Sequence, residues 1–236
     1  MRHTTQPMPL KRVHDVFLPY YSSSHISVWT THKHDDHAMG NPEMKQRIPG
    51  IHVLGGAIDA VAGCTREVQD EELFDFEGFS VKCLLCPGHT KGHICYYVTD
   101  PETKKGVAFT GDCLFVGGAG KFFEGTGDDM YISLYEKLGK LTGDTELYVG
   151  HEYTASNYKF AAKLEPDNKE LQAAQTKADK TLSEGGYTVP STIAQEKATN
   201  PFMRAHEPSV QEATGLGTGK STAQYLQRIR DMKDGK

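Results

Sequence analysis

The sequence predicts an α/β fold, an αβ/βα layered sandwich followed by a helical C-terminal region. Three observations lead there. From about residue 25 to 149, short β-branched and apolar runs ("HISVW", "FSVKCLL", "VAFTGDCLF", "LYVGHEY") alternate with loops and helical segments. Inside that stretch "DDMYISLYEKLGKL" repeats its apolar positions at helical spacing. From about residue 154 the pattern is helical, which divides the chain into 1–153 and 154–236.

The elements follow in order. The lead 1–25, "MRHTTQPMPLKRVHDVFLPYYSSSH", has no strand pattern. "HISVW" reads as a strand, and a short helix is expected over about 37–46. "FSVKCLL" ends in a Pro-Gly turn, and the runs before "TGD" and "GHEY" end in glycine. Helices are then expected at "ASNYKFAAKLEP", at "NKELQAAQTKADKTLSEGG" with its glycine stop, at "PSTIAQEKA" and at "STAQYLQRIRDMK". "TGLGTGK" is glycine-rich enough to be a mobile connection before the last of them. There is no internal repeat.

Composition narrows the class of molecule. With 236 residues, 37% apolar and 24% charged, the chain suits a large domain plus a smaller one, and its net charge of -5 argues against general nucleic-acid binding. No run approaches the roughly 18 apolar residues of a membrane helix, so no membrane partner is expected. The N-terminus lacks the apolar core of a secretory signal, and its few basic residues make a weak presequence. Five cysteines, an odd number, suit a reducing compartment. Cytoplasm is expected, mitochondrion is the alternative, and a monomer is the expected state.

The chemistry concentrates in 30–41, "TTHKHDDHAMGN". Neutral imidazole and carboxylate together suit zinc and other divalent transition metals. If the backbone stays extended past "HISVW", His32 and His34 point to one side and can hold one ion. Asp36 and His37 follow where the chain turns and can face a second, whereas Asp35 is out of phase and reads as a solvated spacer. One loop cannot close two coordination shells. Three strand tips offer the rest: His89 in "CPGHTKGH", Asp112 in "VAFTGDCLF" and His151 in "LYVGHEY".

The order HxHxDH, PGHT, TGD, GHEY resembles the metallo-β-lactamase superfamily. "FTGDCLFVGGAGKFFEGT", "GHEYTASNYKFA" and "NPFMR" narrow the resemblance to glyoxalase II, the hydroxyacylglutathione hydrolases, over roughly 28–233. That resemblance implies a metal-binding catalytic domain over 1–153 and a substrate-binding domain over 154–236. It implies that His32, His34 and His89 bind one metal, that Asp36, His37 and His151 bind the other, and that Asp112 bridges both. Two divalent ions are implied, zinc first and iron or manganese as alternatives, with Asp36 and Asp112 the carboxylates serving catalysis. The implied reaction is hydrolysis of S-D-lactoylglutathione to glutathione and D-lactate by a metal-activated bridging hydroxide. Lys121, Tyr153, Arg230 and Lys233 are implied to bind substrate, with Phe123 standing where the family has a tyrosine.

Other features take ordinary readings. "GLGTGKST" has Thr214 where a P-loop needs glycine, and it follows helical sequence. Cys83 and Cys86 read as strand residues facing opposite ways. His3, His14, His25, His52 and His206 lack ligand context, while His93 lies close to the ligands.

Two departures bear on activity. The family's first strands are replaced by or missing from 1–25, which is expected to expose apolar surface and a sheet edge. Met39 replaces a family glycine and is expected to disturb the ligand loop. Besides glyoxalase II, a mono-iron persulfide dioxygenase, another metallo-β-lactamase or RNase Z type hydrolase, and a catalytically impaired metal- or glutathione-binding paralogue or splice form stay open.

Overall fold

A computed structural model describes residues 26–236, so the expectations for 1–25 lie outside the described residues. β1 (Ser27–Trp29), β2 (His52–Gly56) and β3 (Arg66–Val68) form a parallel three-stranded sheet. Between β1 and β2 stand two short helices, α1 (Asp35–Ala38) and α2 (Asn41–Arg47), in place of the single helix expected over 37–46. The break falls at Met39 and Gly40, and Pro42 starts the second helix in its first turn, where a missing N–H costs nothing.

The second sheet is mixed. β4 (Leu73–Phe76), β5 (Phe79–Leu85), β6 (Ile94–Thr99) and β7 (Gly106–Gly111) run as an antiparallel meander. Beyond a small hairpin of β8 (Leu114–Phe115) and β9 (Gly118–Ala119) come α3 (Gly127–Tyr131) and β10 (Glu146–Val149), which joins β7 in parallel. α3 runs on through a π-helical turn, Ile132–Lys137, so the helical spacing of "DDMYISLYEKLGKL" is real but not one regular helix.

The chain then turns helical, as expected: α4 (Thr154–Leu164), α5 (Lys169–Ser183), α6 (Ile193–Thr199), α7 (Pro208–Ala213) and α8 (Thr222–Asp234). α6 is preceded by β11 (Ser191–Thr192), an edge strand on β10. α7 was not legible, since its six residues carry too little period to see. The glycine-rich stretch before α8 is anchored: Leu216 packs on the main core and Tyr225 Oη donates to Gly217 O at 2.7 Å.

The main core gathers Leu84, Leu114, Met130, Leu134, Leu147, Ile193, Phe202, Leu226 and Ile229, so α8 packs into the same core as the sheet. Alternation along β5 sends Val81 and Cys83 to a second cluster with Leu54 and Tyr96, while Leu84 and Cys86 join the main one. Cys83 and Cys86 therefore face opposite ways, as expected. One buried carboxyl ties α6 to the hairpin. Glu196 accepts from Gly117 N at 2.8 Å and Asn200 Nδ2 at 2.9 Å, and meets Ser191 Oγ at 2.5 Å. Burial pushes it up to about 7.

Candidate metal centre and substrate cavity

All seven residues expected to bind metal come together, Asp36 and His37 from α1 and the other five from the loops that follow β1, β5, β7 and β10. β1 is followed by extended backbone, with His34 at φ -62° and ψ 148°, so His32 and His34 reach one place and His34 Nδ1 lies 3.1 Å from His32 Nε2. His89 Nε2 stands 3.0 Å from the same His34 nitrogen. On the other side His37 Nε2 is 3.1 Å from His151 Nε2, and His151 Nε2 is 3.1 Å from Asp36 Oδ2. Asp112 reaches both groups: its Oδ1 is 3.2 Å from His37 Nε2, and its Oδ2 is 3.5 Å from both His89 Nε2 and His151 Nε2. Asp35 is exposed, as a spacer should be.

Backbone geometry aims these groups. The pairing of β10 with β7 shifts register between Tyr148 and Val149, a bulge of the sort found beside active sites. Gly150 N donates to Gly111 O at 2.9 Å, and a Cβ on Gly150 would stand 2.3 Å from Asp112 Oδ1. Gly111 has φ +47°, and its absent Cβ leaves room for Thr31 and His93. Met39, by contrast, sits at φ -62° and is 70% exposed. The expected disturbance of the ligand loop is thus corrected: that position needs neither a positive φ nor a close approach.

Surrounding groups fix tautomers and loops. His89 Nδ1 donates to Lys121 O at 2.9 Å, which leaves Nε2 as a lone pair facing the cluster. Asp112 N donates to His93 Nε2 at 3.2 Å, so His93 supports the backbone that carries Asp112. Asp59, which the sequence did not flag, is buried and accepts from Lys33 N, Thr90 Oγ1 and Gly92 N at 2.8–2.9 Å, joining the loops of His34 and His89. It lies in "GGAID" with no neighbouring ligand type, so spacing carried no signal.

Electrostatics agree with cation binding. Burial, reinforced by the neighbouring imidazoles, drives His32 far below the ordinary histidine range, and burial likewise lowers His89. Burial pulls on His37 too, but the Asp112 carboxylate beside it lifts it overall. Burial opposes ionisation of Asp112, yet His37 and the other imidazoles hold it below the usual carboxylate range. Imidazole nitrogens and carboxylate oxygens converge within 4.8 Å of one another in each group, and among the described residues buried Asp112 Oδ1 has no hydrogen-bond partner. A divalent cation satisfies that set of donors, so the residues fit the group.

A cavity of about 490 Å³ opens on this cluster, lined by His34, Asp36, His89, Asp112 and His151 and also by Lys121, Phe123, Tyr153, Arg230 and Lys233. Each residue expected to bind substrate is therefore at one cavity. Phe123 is exposed and meets His34 and His89 edge-on, while Tyr153 stacks on His151. Arg230 and Lys233 differ in setting. Arg230 is buried, donates to Ala119 O at 3.2 Å and pairs with Asp234 at 2.6 Å, leaving its Nε without a partner among the described residues. Lys233 bonds to Asn157 Oδ1 and lies over the Phe160 and Phe202 rings; burial lowers its ammonium to about 8. Asn157, whose Nδ2 donates to Val116 O at 2.9 Å, is one of the lining residues that sequence reasoning missed, although it stands in "GHEYTASNYKFA".

Fold and site together define a class. Residues 27–151 match the family described as Metallo-beta-lactamase superfamily. Among solved structures, the fold is similar to a metallo-beta-lactamase from Staphylococcus aureus subsp. aureus COL (TM-score 0.57, 19% identity, 88% of this chain and 56% of that one). It is also similar to ETHE1 from Myxococcus xanthus (TM-score 0.56, 24% identity, 87% and 68%). Residues 152–235 match the family described as Hydroxyacylglutathione hydrolase C-terminus. The chain is 44% identical over 208 residues to a cytoplasmic hydroxyacylglutathione hydrolase of Arabidopsis thaliana, covering 88% of this chain and 80% of that protein. It is 40% identical to a hydroxyacylglutathione hydrolase of Synechococcus sp. (strain JA-2-3B'a(2-13)), covering 89% and 81%. The chain belongs to the hydroxyacylglutathione hydrolases, glyoxalase II, within the metallo-β-lactamase superfamily.

Proposed function

We propose that this chain hydrolyses the thioester of a hydroxyacylglutathione, S-D-lactoylglutathione being the substrate the resemblance implies, and releases glutathione and D-lactate. The observation that carries the reading is the single cavity lined both by the His/Asp cluster and by the cations of α8. His32, His34 and His89 would hold one ion, Asp36, His37 and His151 a second, and Asp112 would touch both. Zinc is the first choice, with iron or manganese accepted by the same ligands. When bound, divalent cations there would lower the pKa of water toward neutrality and polarise a carbonyl oxygen.

The chain's own groups do the rest. The Lys121 carbonyl keeps the His89 proton on Nδ1 and so presents Nε2 as a ligand. Arg230 Nε and Lys233 Nζ supply fixed donors for substrate carboxylates, with Arg230 immobilised by Ala119 O and Asp234. Burial and the Asp112 and Asp36 charges hold the Tyr153 phenol protonated, so it serves as a donor. The leaving thiol, with a pKa near about 8.5, departs as thiolate without a strong general acid. Phe123 offers an apolar ring without a hydroxyl contact.

The same reading assigns catalysis to 1–153 and recognition to 154–236, and takes the chain as a monomer that binds no nucleic acid. It places the protein in the cytoplasm, as the Arabidopsis relative's name says of that protein. No helix among the described residues is long and apolar enough to cross a membrane.

Purified protein should be assayed for lactoylglutathione hydrolysis, for oxygen uptake with glutathione persulfide, and for metal content. Hydrolysis with up to two ions per chain and no oxygen uptake is expected. Oxygen uptake on a single iron without hydrolysis would replace the reading with a dioxygenase, and bound metal with neither activity would replace it with a binding protein.

A further inference from the structure

Three thiols converge in the core. Cys86, Cys95 and Cys113 are wholly buried, all are free thiols, and their Sγ atoms lie within 4.8 Å of one another. They come from three separate places: just past β5, within β6, and just past β7. A buried cysteine is ordinarily a small apolar filler, which is how Cys83 behaves on the opposite face of β5 among Leu54, Val68 and Ile94. Three sulfurs aimed at one point form a different arrangement, a ready set of soft donors.

A second observation falls on the same spot. His93 is buried, and its Nε2 accepts from Asp112 N, which leaves the ring proton on Nδ1. That Nδ1 faces Cys95 Sγ at 3.9 Å. An imidazole N–H directed at sulfur steadies a sulfur that carries negative charge or holds a metal.

We propose that Cys86, Cys95 and Cys113 form a second metal site, distinct from the histidine and carboxylate cluster, for a low-coordinate thiophilic cation, monovalent copper first. The donor set selects the ion. Thiolates favour soft cations such as Cu(I), whereas zinc takes four ligands, and the group here offers three sulfurs in a place closed to water. Charge selects it as well. One thiolate neutralises a monovalent cation, so the dry core gains no net charge, whereas a divalent ion needs two thiolates for the same balance. Binding releases one thiol proton to solvent and forms copper–sulfur bonds, and copper stays monovalent throughout, so no electron is transferred.

The test uses the full chain with zinc in its histidine cluster, reduced and free of oxygen, titrated with Cu(I) buffered by bicinchoninate. One Cu(I) per chain is expected, with an ultraviolet thiolate-to-copper band and X-ray absorption showing sulfur neighbours alone. The band should persist in Cys64→Ser, which changes the cysteine that is only partly buried, and vanish in Cys86→Ser combined with Cys95→Ala. Nitrogen neighbours at copper, loss of the band in Cys64→Ser, or no copper retained against the chelator would overturn the site. The X-ray absorption arm needs only the unaltered protein, so the proposal stays decidable even if the double variant melts early.

Discussion

Replacing Glu196 with glutamine turns a buried network into a pH experiment. The folded chain holds the Glu196 carboxyl at about 7 against an ordinary 4.5, because burial penalises the anion more than Ser191, Asn200 and Gly117 N repay. The folded state thus keeps this proton to higher pH than the unfolded chain does. Its contribution to stability is complete below pH 4.5, falls as pH rises to about 7, and is gone above that. At about 1.4 kcal/mol per pH unit the full swing is about 3 kcal/mol. Glutamine cannot titrate but keeps an oxygen for Gly117 N and an amide for Ser191 Oγ. Urea unfolding of both proteins at intervals from pH 4.5 to 8 gives the difference between them, in which shifts from every other group cancel. The unaltered protein should lose about 3 kcal/mol relative to Glu196→Gln across that window. Parallel stability curves would refute the reasoning, because they would mean that the carboxyl ionises in the core at its ordinary pH.

Three further outcomes follow from the site. Asp112→Ala should lower occupancy at both proposed ion positions by elemental analysis, and full retention of one ion would remove Asp112 as the shared ligand. Lys233→Ala should raise KM for lactoylglutathione roughly 10–100-fold, since a charge-assisted hydrogen bond contributes about 1.5–3 kcal/mol, with kcat nearly unchanged. In the unaltered protein KM should climb as pH rises through about 8, where the ammonium loses its charge, and in the variant that step should be absent from the steady-state kinetics. Asp59→Ala leaves Lys33 N, Thr90 Oγ1 and Gly92 N without their acceptor at about 1–3 kcal/mol for each orphaned donor, so thermal melting should fall by several degrees and bound metal with it.

What the sequence made legible follows from which physical signals are local. Strand alternation and strand-terminal glycines announced β5, β7 and β10 and the His and Asp residues beyond their ends, and the helical pattern of "STAQYLQRIRDMK" announced α8. The convergence of the His and Asp residues was readable because imidazole and carboxylate are scarce in such density. Asp59 was not, because a lone aspartate acquires meaning only when Lys33, Thr90 and Gly92 are folded around it. The pairing of Arg230 with Asp234 and of Lys233 with Asn157 was equally hidden, since side-chain partners depend on rotamers and packing. Met39 misled in the opposite direction: a glycine in a family pattern does not by itself imply a left-handed backbone.

The proposed ion ligands end at His151, whereas two of the three cations proposed to meet the substrate, Arg230 and Lys233, lie on the last helix described and complete the same cavity. A chain emerging from the ribosome therefore has every proposed ion ligand, with Lys121 and Tyr153, in hand well before the two cations of α8. A frameshift or proteolytic cut between α4 and α8 would not simply delete a domain; it would open the cavity wall beside the ligands and remove Ile229 and Leu226 from the core that braces them. Because that core is shared, a chain stripped of α8 also loses packing around the strands that carry the His and Asp cluster.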